Sequence, residues 1–219
     1  MDQLPLEISP PPEPRFDNFV AGDNAEALAS LRALAAGTLG EAIVYLWGER
    51  GSGRSHLLRA AARENGALVV ADDVEALAPA AQQQLFVAIN AARAGGPAVL
   101  AAGAGAPEQL RMREDLRTRL AWGLVYQVRP LGDAQKARHL RAEAARRGLD
   151  LGDEVAAYLL ARLPRDLHSL TALLDRLDRL SLARQRPLTI PLVREALALA
   201  QAAAAPEARG VLPRQGEPG

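Results

Sequence analysis

Gly48-Glu49-Arg50-Gly51-Ser52-Gly53-Arg54-Ser55 follows directly on the apolar run Ile43 to Trp47 and leads into a helical pattern from about Ser55 to Glu64. Strand, glycine-rich loop and helix in that order form a phosphate-binding loop. The glycines let backbone N–H groups turn inward around phosphate oxygens, and the helix N-terminus adds its partial positive charge. One position departs from the motif: Arg54 stands where it has lysine. A guanidinium still pairs with phosphate, but its planar fork is larger than a compact ammonium, so binding should survive better than hydrolysis does. Gly48, Gly51, Ser52, Gly53, Arg54, Ser55 and His56 are the candidate nucleotide-binding residues of this segment.

A glycine-containing turn can join a strand to a helix without holding phosphate, so the next motif carries weight. Leu68-Val69-Val70-Ala71-Asp72-Asp73 is an apolar strand ending in two aspartates, the pattern of a Walker B segment. Asp72 would share the Mg²⁺ shell with Ser55, and Asp73 would stand near the attacking water. The ligand expected is ADP or ATP with Mg²⁺.

Around these motifs the pattern alternates. A strand from Ala67 to Ala71 is followed by a helix near Ala80 to Ala94 and a strand around Ala98 to Ala102. Short helices near Pro107 to Met112 and Asp115 to Leu120 precede a strand through Leu124 to Val128. Strands alternating with helices predict a parallel α/β sheet flanked by helices. After Pro130 the pattern is helical only. Asp133 and Asp153 are candidate caps, a long amphipathic helix runs from about Leu167 to Arg184, and Pro191 suits a first turn. The expected organisation is an extended arm over 1–15, a nucleotide-binding α/β domain over 16–130, a small all-α lid over 131–203 and a disordered tail over 204–219. The arm holds Pro10, Pro11, Pro12 and Pro14, which favour a polyproline conformation.

Composition narrows the function. Hydrophobic residues make up 49% of the chain but aromatic ones only 4%, so the core must be built from Ala, Leu and Val. The 26 acidic residues balance the 26 basic ones, which leaves no global charge to drive DNA affinity through counterion release. Cysteine is absent, excluding disulfide and thiol chemistry, and His56, His139 and His168 have no metal-ligand spacing. With neither a membrane span nor a signal peptide, a cytoplasmic protein is expected.

Phe16-Asp17-Asn18-Phe19-Val20, with Gly22 and Asn24, resembles the segment of the DnaA family's AAA+ module that packs beside the adenine, which implies roles for Phe19 and Val20. Leu116-Arg117-Thr118-Arg119-Leu120-Ala121-Trp122-Gly123-Leu124 is similar to that family's box VII. The resemblance makes Arg119 an arginine finger acting in trans on a neighbouring subunit's nucleotide. Leu163-Pro164-Arg165-Asp166-Leu167 is similar to sensor 2, which implies that Arg165 touches the molecule's own nucleotide. A solvated helix charge is the ordinary alternative for either arginine, since Lys136 is the only lysine among the 26 basic residues and single arginines are uninformative.

Two departures redirect the expected function. Where the family's sensor 1 strand ends in polar residues, Ala101-Ala102-Gly103-Ala104-Gly105-Ala106 offers no side chain to orient water, so the chain's own ATPase should be impaired. The lid is followed only by a short polar tail, where initiators continue into a helix-turn-helix DNA reader. Gln3-Leu4-Pro5-Leu6-Glu7-Ile8 resembles a sliding-clamp-binding peptide, with Gln3 fixing register and Leu4, Leu6 and Ile8 entering apolar pockets.

Together these features resemble the Hda-like regulators of the DnaA family. The resemblance implies a negative regulator of replication initiation that binds the sliding clamp, the beta subunit of DNA polymerase III, and stimulates ATP hydrolysis by DnaA. It implies a bound nucleotide, ADP in preference to ATP, a homodimer as one assembly, and contact with DNA and nucleoid only through the clamp. The rival readings are a non-enzymatic clamp-bound adaptor and an independent AAA+ ATPase.

Overall fold

The computed structural model describes residues 13–162, 167–184 and 188–204. Its contacts divide the chain into two compact units, with the division between Lys136 and Ala137.

The first unit is built on a four-stranded parallel sheet of β1 (Ile43–Trp47), β2 (Val69–Ala71), β3 (Val99–Gly103) and β4 (Leu124–Gln127), in the order β2-β3-β1-β4. β1 and β3 are central and apolar throughout, as strands covered on both faces must be. Their side chains alternate between two cores. Val44, Leu46, Leu100 and Ala102 pack with buried residues of α1 (Ala25–Ala35) and α2 (Arg54–Glu64). Ile43, Tyr45, Val99 and Ala101 pack with those of α3 (Pro79–Arg93) and α4 (Glu114–Leu120). The register pairs Ile43 with Val99 and Trp47 with Gly103. The parallel α/β sheet expected from the alternating pattern is thus the observed fold.

Several local details differ from the expectation. The strand starting at Ala67 begins only at Val69, because Asn65 Oδ1 accepts the Ala67 N–H and Leu68 N–H turns back to Asn65 O. The short helix near Pro107 is a single 3₁₀ turn, Pro107–Gln109, closed at its start by Gln109 Oε1 accepting the Ala106 N–H. Helix α1 was not expected from the pattern at all. Its alanines give no strong polar face, and it is held by burial of Ala27, Leu31, Leu34 and Ala35.

The second unit takes up α5 (Asp133–Arg146) from Ala137 onward and adds α6 (Asp153–Arg162), α7 (Leu167–Arg184) and α8 (Ile190–Ala204). Its core includes Leu140, Ala144, Leu159, Leu174, Leu177 and Val193. Gly132 and Gly152, not the aspartates after them, accept the first helical bonds of α5 and α6, from Lys136 and Ala156. Asp133 and Asp153 therefore lie in the first turn, where their charge complements the helix dipole. Among the described residues no helix is long and apolar enough to cross a membrane.

Candidate functional site

The loop between β1 and α2 has the geometry that its glycines predict. Gly53 caps α2 with φ +101°, a left-handed conformation that L side chains adopt only under strain, and a Cβ there would lie 2.7 Å from Phe19 Cε2. Glycine is thus required twice over, by backbone conformation and by the aromatic ring against it. The Ser52 N–H donates to Glu49 O at 3.1 Å, curling the loop, and Ser52 itself is buried. Gly48 is buried at the end of β1, while Gly51 is exposed with φ +83°. The N-terminus of the 11-residue α2 opens on this loop with no acidic residue in its first turn to offset its positive end.

Two polar atoms here are buried with no hydrogen-bond partner: Ser52 Oγ and Arg54 Nη1. An orphaned buried donor costs about 1–3 kcal/mol, so such atoms at a helix N-terminus fit an anion that would satisfy them. Arg54 is nearly buried, and its Nη2 lies 3.7 Å from Asp73 Oδ1. The residues present therefore fit a phosphate group. Ser55 and Asp72 are both half-buried at the carboxyl edge of the sheet and could serve a cation bridged by phosphates. Among the described residues no group of three or more His, Asp or Glu side chains forms a metal site without such a ligand.

Phe19, half-buried after the 3₁₀ turn Phe16–Asn18, joins the loop to His56, whose ring centroid is 5.6 Å from its own. The His56 Nε2–H donates to Arg15 O at 2.9 Å, a carbonyl partner that fixes the proton on Nε2. Val20 is half-buried beside Phe19. The Asn24 side chain, buried, donates to Arg129 O at 2.9 Å and accepts the Arg129 N–H at 2.8 Å, tying the start of the unit to the end of β4.

Asp73 is the one non-glycine residue with positive φ among those described, at +44°. This left-handed step follows β2 and starts the 3₁₀ turn Val74–Ala76, with the Ala76 N–H donating to Asp73 O at 2.8 Å. Asp72 Oδ1 accepts the Asp73 N–H at 3.0 Å. The bend carries Glu75 to the end of β3, where Oε1 accepts the Ala104 N–H at 3.0 Å. Nearby, the buried Tyr45 hydroxyl donates to Gly105 O at 2.8 Å. Burial pushes its pKa well above the ordinary tyrosine value, Glu75 reinforces the rise and Arg54 opposes it. Sequence reasoning missed Glu75 and Tyr45. Glu75 stands two residues beyond the aspartate pair, outside the motif, and Tyr45 reads as one more apolar strand residue.

Arg119 is not a freely solvated charge. Its guanidinium carbon lies 4.0 Å from the Phe86 ring centroid and 4.8 Å from that of Trp122. Nε donates to Asn90 Oδ1 at 2.9 Å and Nη1 to Asp115 O at 3.0 Å. Phe86 and Asn90 are four residues apart on α3, so one face of that helix supplies both contacts. That i, i+4 pair was the signal available in the sequence, though nothing there linked it to α4. These contacts come from α3, α4 and the turn after α4, and none involves the phosphate loop.

Five candidate residues lie outside the described residues: Gln3, Leu4, Leu6 and Ile8 of the clamp-like peptide, and Arg165 of the sensor 2 segment.

The sheet order, the loop and the helical second unit can be set beside known proteins. Domain III of Thermotoga maritima DnaA superposes with a TM-score of 0.65 at 18% identity, covering 87% of this chain and 98% of that one. The family described as Hda, lid domain, matches residues 133–197. Residues 133–197 thus match the Hda lid domain, and the chain shares the fold of DnaA domain III. An uncharacterised protein of Haemophilus influenzae is 35% identical to this chain over 229 residues, 90% of this chain and 99% of its own length. DnaA from Aquifex aeolicus bound to AMPPCP has a TM-score of 0.61 at 19% identity, covering 73% of this chain and 63% of that one. A Thermotoga maritima RuvB shares the AAA+ fold more distantly, at 15% identity with a TM-score of 0.60 over 85% of this chain and 72% of that one.

Proposed function

We propose that the chain is an Hda-like negative regulator of replication initiation, which holds a nucleotide, docks on the sliding clamp and makes DnaA hydrolyse its ATP by inserting Arg119. The observation that carries this reading is the enclosure of Arg119. Two aromatic rings and two hydrogen bonds hold its guanidinium in one orientation, which reduces the ordering cost of presenting it to another molecule's nucleotide. The match to the Hda lid supports the same reading.

The nucleotide is ADP or ATP with Mg²⁺, and the AMPPCP bound by the Aquifex DnaA supports a ligand of this class. Ser52, Gly53 and the α2 N-terminus bind its phosphates, with Arg54 replacing lysine, Phe19 and Val20 beside the base, and His56 supporting Phe19. Arg165 would touch the same nucleotide. Mg²⁺, held by Ser55 and Asp72, would neutralise phosphate charge. Asp73 points to little catalysis in this chain's own pocket: its carboxylate neighbours Arg54, and β3 ends in Gly103, followed by Ala104, so that neither supplies a polar side chain. The bound nucleotide acts as a ligand that selects the pairing conformation, and the hydrolysis occurs in the partner.

Gln3, Leu4, Leu6 and Ile8 provide the tether to the beta clamp of DNA polymerase III, raising the local concentration near DnaA on DNA. DNA is met only through the clamp, which places the protein in the cytoplasm at the nucleoid. A homodimer is the further assembly to be looked for.

The test is the rate of ATP hydrolysis by DnaA-ATP with clamp loaded on DNA, comparing the wild type with Arg119→Ala and Gln3→Ala. Acceleration by the wild type and loss in both variants supports finger and tether together. Acceleration that persists in Arg119→Ala turns the reading toward a clamp-bound adaptor. Turnover of ATP by the chain alone, without DnaA, turns it toward an independent ATPase.

A further inference from the structure

Glu75 is held at the carboxyl edge of the sheet by contacts that the nucleotide reading does not use. Its Oε1 accepts the Ala104 N–H at 3.0 Å, while its Oε2 is buried with no hydrogen-bond partner. Gly103 makes the room: a Cβ there would stand 2.8 Å from Glu75 Oε2 and would collide with the Tyr45 hydroxyl. A buried carboxylate oxygen left unpaired is costly, and this one is retained at the end of a central strand.

The sheet register places that end next to the phosphate loop. Gly103 pairs with Trp47, the residue immediately before Gly48, and neighbouring strands are about 4.8 Å apart. Arg54, on the first turn of α2, faces the same region. Its Nη2 approaches Asp73, and its charge and that of Glu75 both act on the Tyr45 hydroxyl, in opposite directions. The basic residue at this motif position reaches toward the β- and γ-phosphates. The far end of the phosphate pocket is therefore bordered by a half-buried carboxylate, one of whose oxygens is buried.

We propose that Glu75 is a specificity-determining residue that makes this pocket select a nucleoside diphosphate over a triphosphate. A diphosphate engages Ser52, Gly53 and Arg54 without reaching toward Glu75. A third phosphate brings additional negative charge toward this half-buried carboxylate, where the repulsion is screened less than in bulk water. Gly103 is part of the device, since any larger residue there would displace the carboxylate. The inference rests on the reading of the Gly48 to Ser55 loop as a nucleotide pocket.

Calorimetric titration of the full chain with ADP and with β,γ-methylene ATP, both in Mg²⁺, tests it in the wild type, Glu75→Gln and Glu75→Met. Glutamine keeps an acceptor for the Ala104 N–H and removes the charge; methionine is the second uncharged variant of similar size. The wild type is expected to favour ADP. Both variants should gain about tenfold or more for the triphosphate analogue, with ADP affinity changed by about twofold at most, the size of effect a single nearby charge exerts at an intermediate dielectric. Thermal unfolding without nucleotide checks that each variant is folded. Equal wild-type affinity for the two nucleotides, or an unchanged ratio in either folded variant, overturns the selectivity and leaves the pocket standing. If the wild type binds neither, the nucleotide reading itself falls.

Discussion

The guanidinium of Arg119 stacks on Phe86, its central carbon 4.0 Å from the ring centroid, and the same ring has Arg113 at 5.7 Å. Cation–π contacts of this kind are worth about 0.5–2 kcal/mol according to how far they are desolvated. Phe86→Ala should therefore loosen Arg119 and reduce stimulation of DnaA's ATPase by about three- to thirtyfold, with binding of the chain's own nucleotide unchanged. Trp122→Ala should act in the same direction, and Arg119→Lys should not restore activity, because an ammonium cannot reproduce the planar contacts. Hydrolysis rates measured beside ADP titrations check both halves of this expectation.

Gly53→Ala tests the loop. The φ of +101° and the 2.7 Å approach to Phe19 Cε2 leave no unstrained place for a methyl group. The expected result is a loss of about 1–3 kcal/mol in stability and a larger relative loss in nucleotide affinity, as the α2 N-terminus is displaced. Gly51→Ala meets open space but has φ +83°, so it carries backbone strain without the collision and should be the milder of the two. Denaturant unfolding and nucleotide titration distinguish them.

Tyr45→Phe removes the hydroxyl that donates to Gly105 O while preserving the ring among Ile43, Val74 and Leu116. Leaving that carbonyl without its donor should cost about 1 kcal/mol, read as a lower denaturation midpoint. The loop after β3 should also exchange its amide protons faster in this variant.

Acid should weaken the helical unit in two steps. Burial holds the His139 imidazole below its ordinary value, so the unfolded chain takes up a proton first and stability falls as pH drops below about 6.5. Burial alone would raise Glu143, but the hydrogen bond from Arg147 and the charges of Arg146 and Arg147 outweigh it and hold the carboxylate low. Its contribution is present above the unfolded carboxylate range near 4.5 and is lost as pH falls through the lower folded value. His139→Gln should flatten the first step and leave the second; thermal unfolding of the full chain from pH 8 to 3 reads both.

Arg147 donates to Glu143 Oε2 at 2.6 Å and to Asp175 Oδ1 at 2.9 Å through Nε, joining α7 to the end of α5. Because this side chain is only partly exposed, Arg147→Ala should destabilise the full chain by about 1–3 kcal/mol, leaving Glu143 with Arg146 alone and Asp175 without this guanidinium. Denaturant titration checks it.

How far the sequence reveals this molecule depends on the range of the interaction. Parallel central strands announce themselves as continuous apolar runs, so Ile43–Trp47 and Val99–Gly103 were legible, and the glycines of the loop imply its left-handed turn. Helix α1 was not, because its alanine-rich surface has little contrast between faces and its identity is decided by what covers it. The enclosure of Arg119 was hidden for another reason: Phe86, Asn90 and Trp122 reach it from 33 residues before to 3 after, and no local period records such a meeting. Glu75 was invisible because its importance lies in the absent side chain at Gly103, 28 positions away.

The paired hydrogen bonds between Asn24 and Arg129 have a consequence for architecture. They join positions 105 residues apart, so the α/β unit is closed on itself where its chain enters and leaves. Closed modules of this kind tolerate new termini elsewhere. A circular permutant of the α/β unit opened at the exposed Gly95-Gly96 turn, with a short linker joining the segment before Asn24 to the one after Arg129, should keep its sheet, whereas the same permutant carrying Asn24→Ala should fray at the seam.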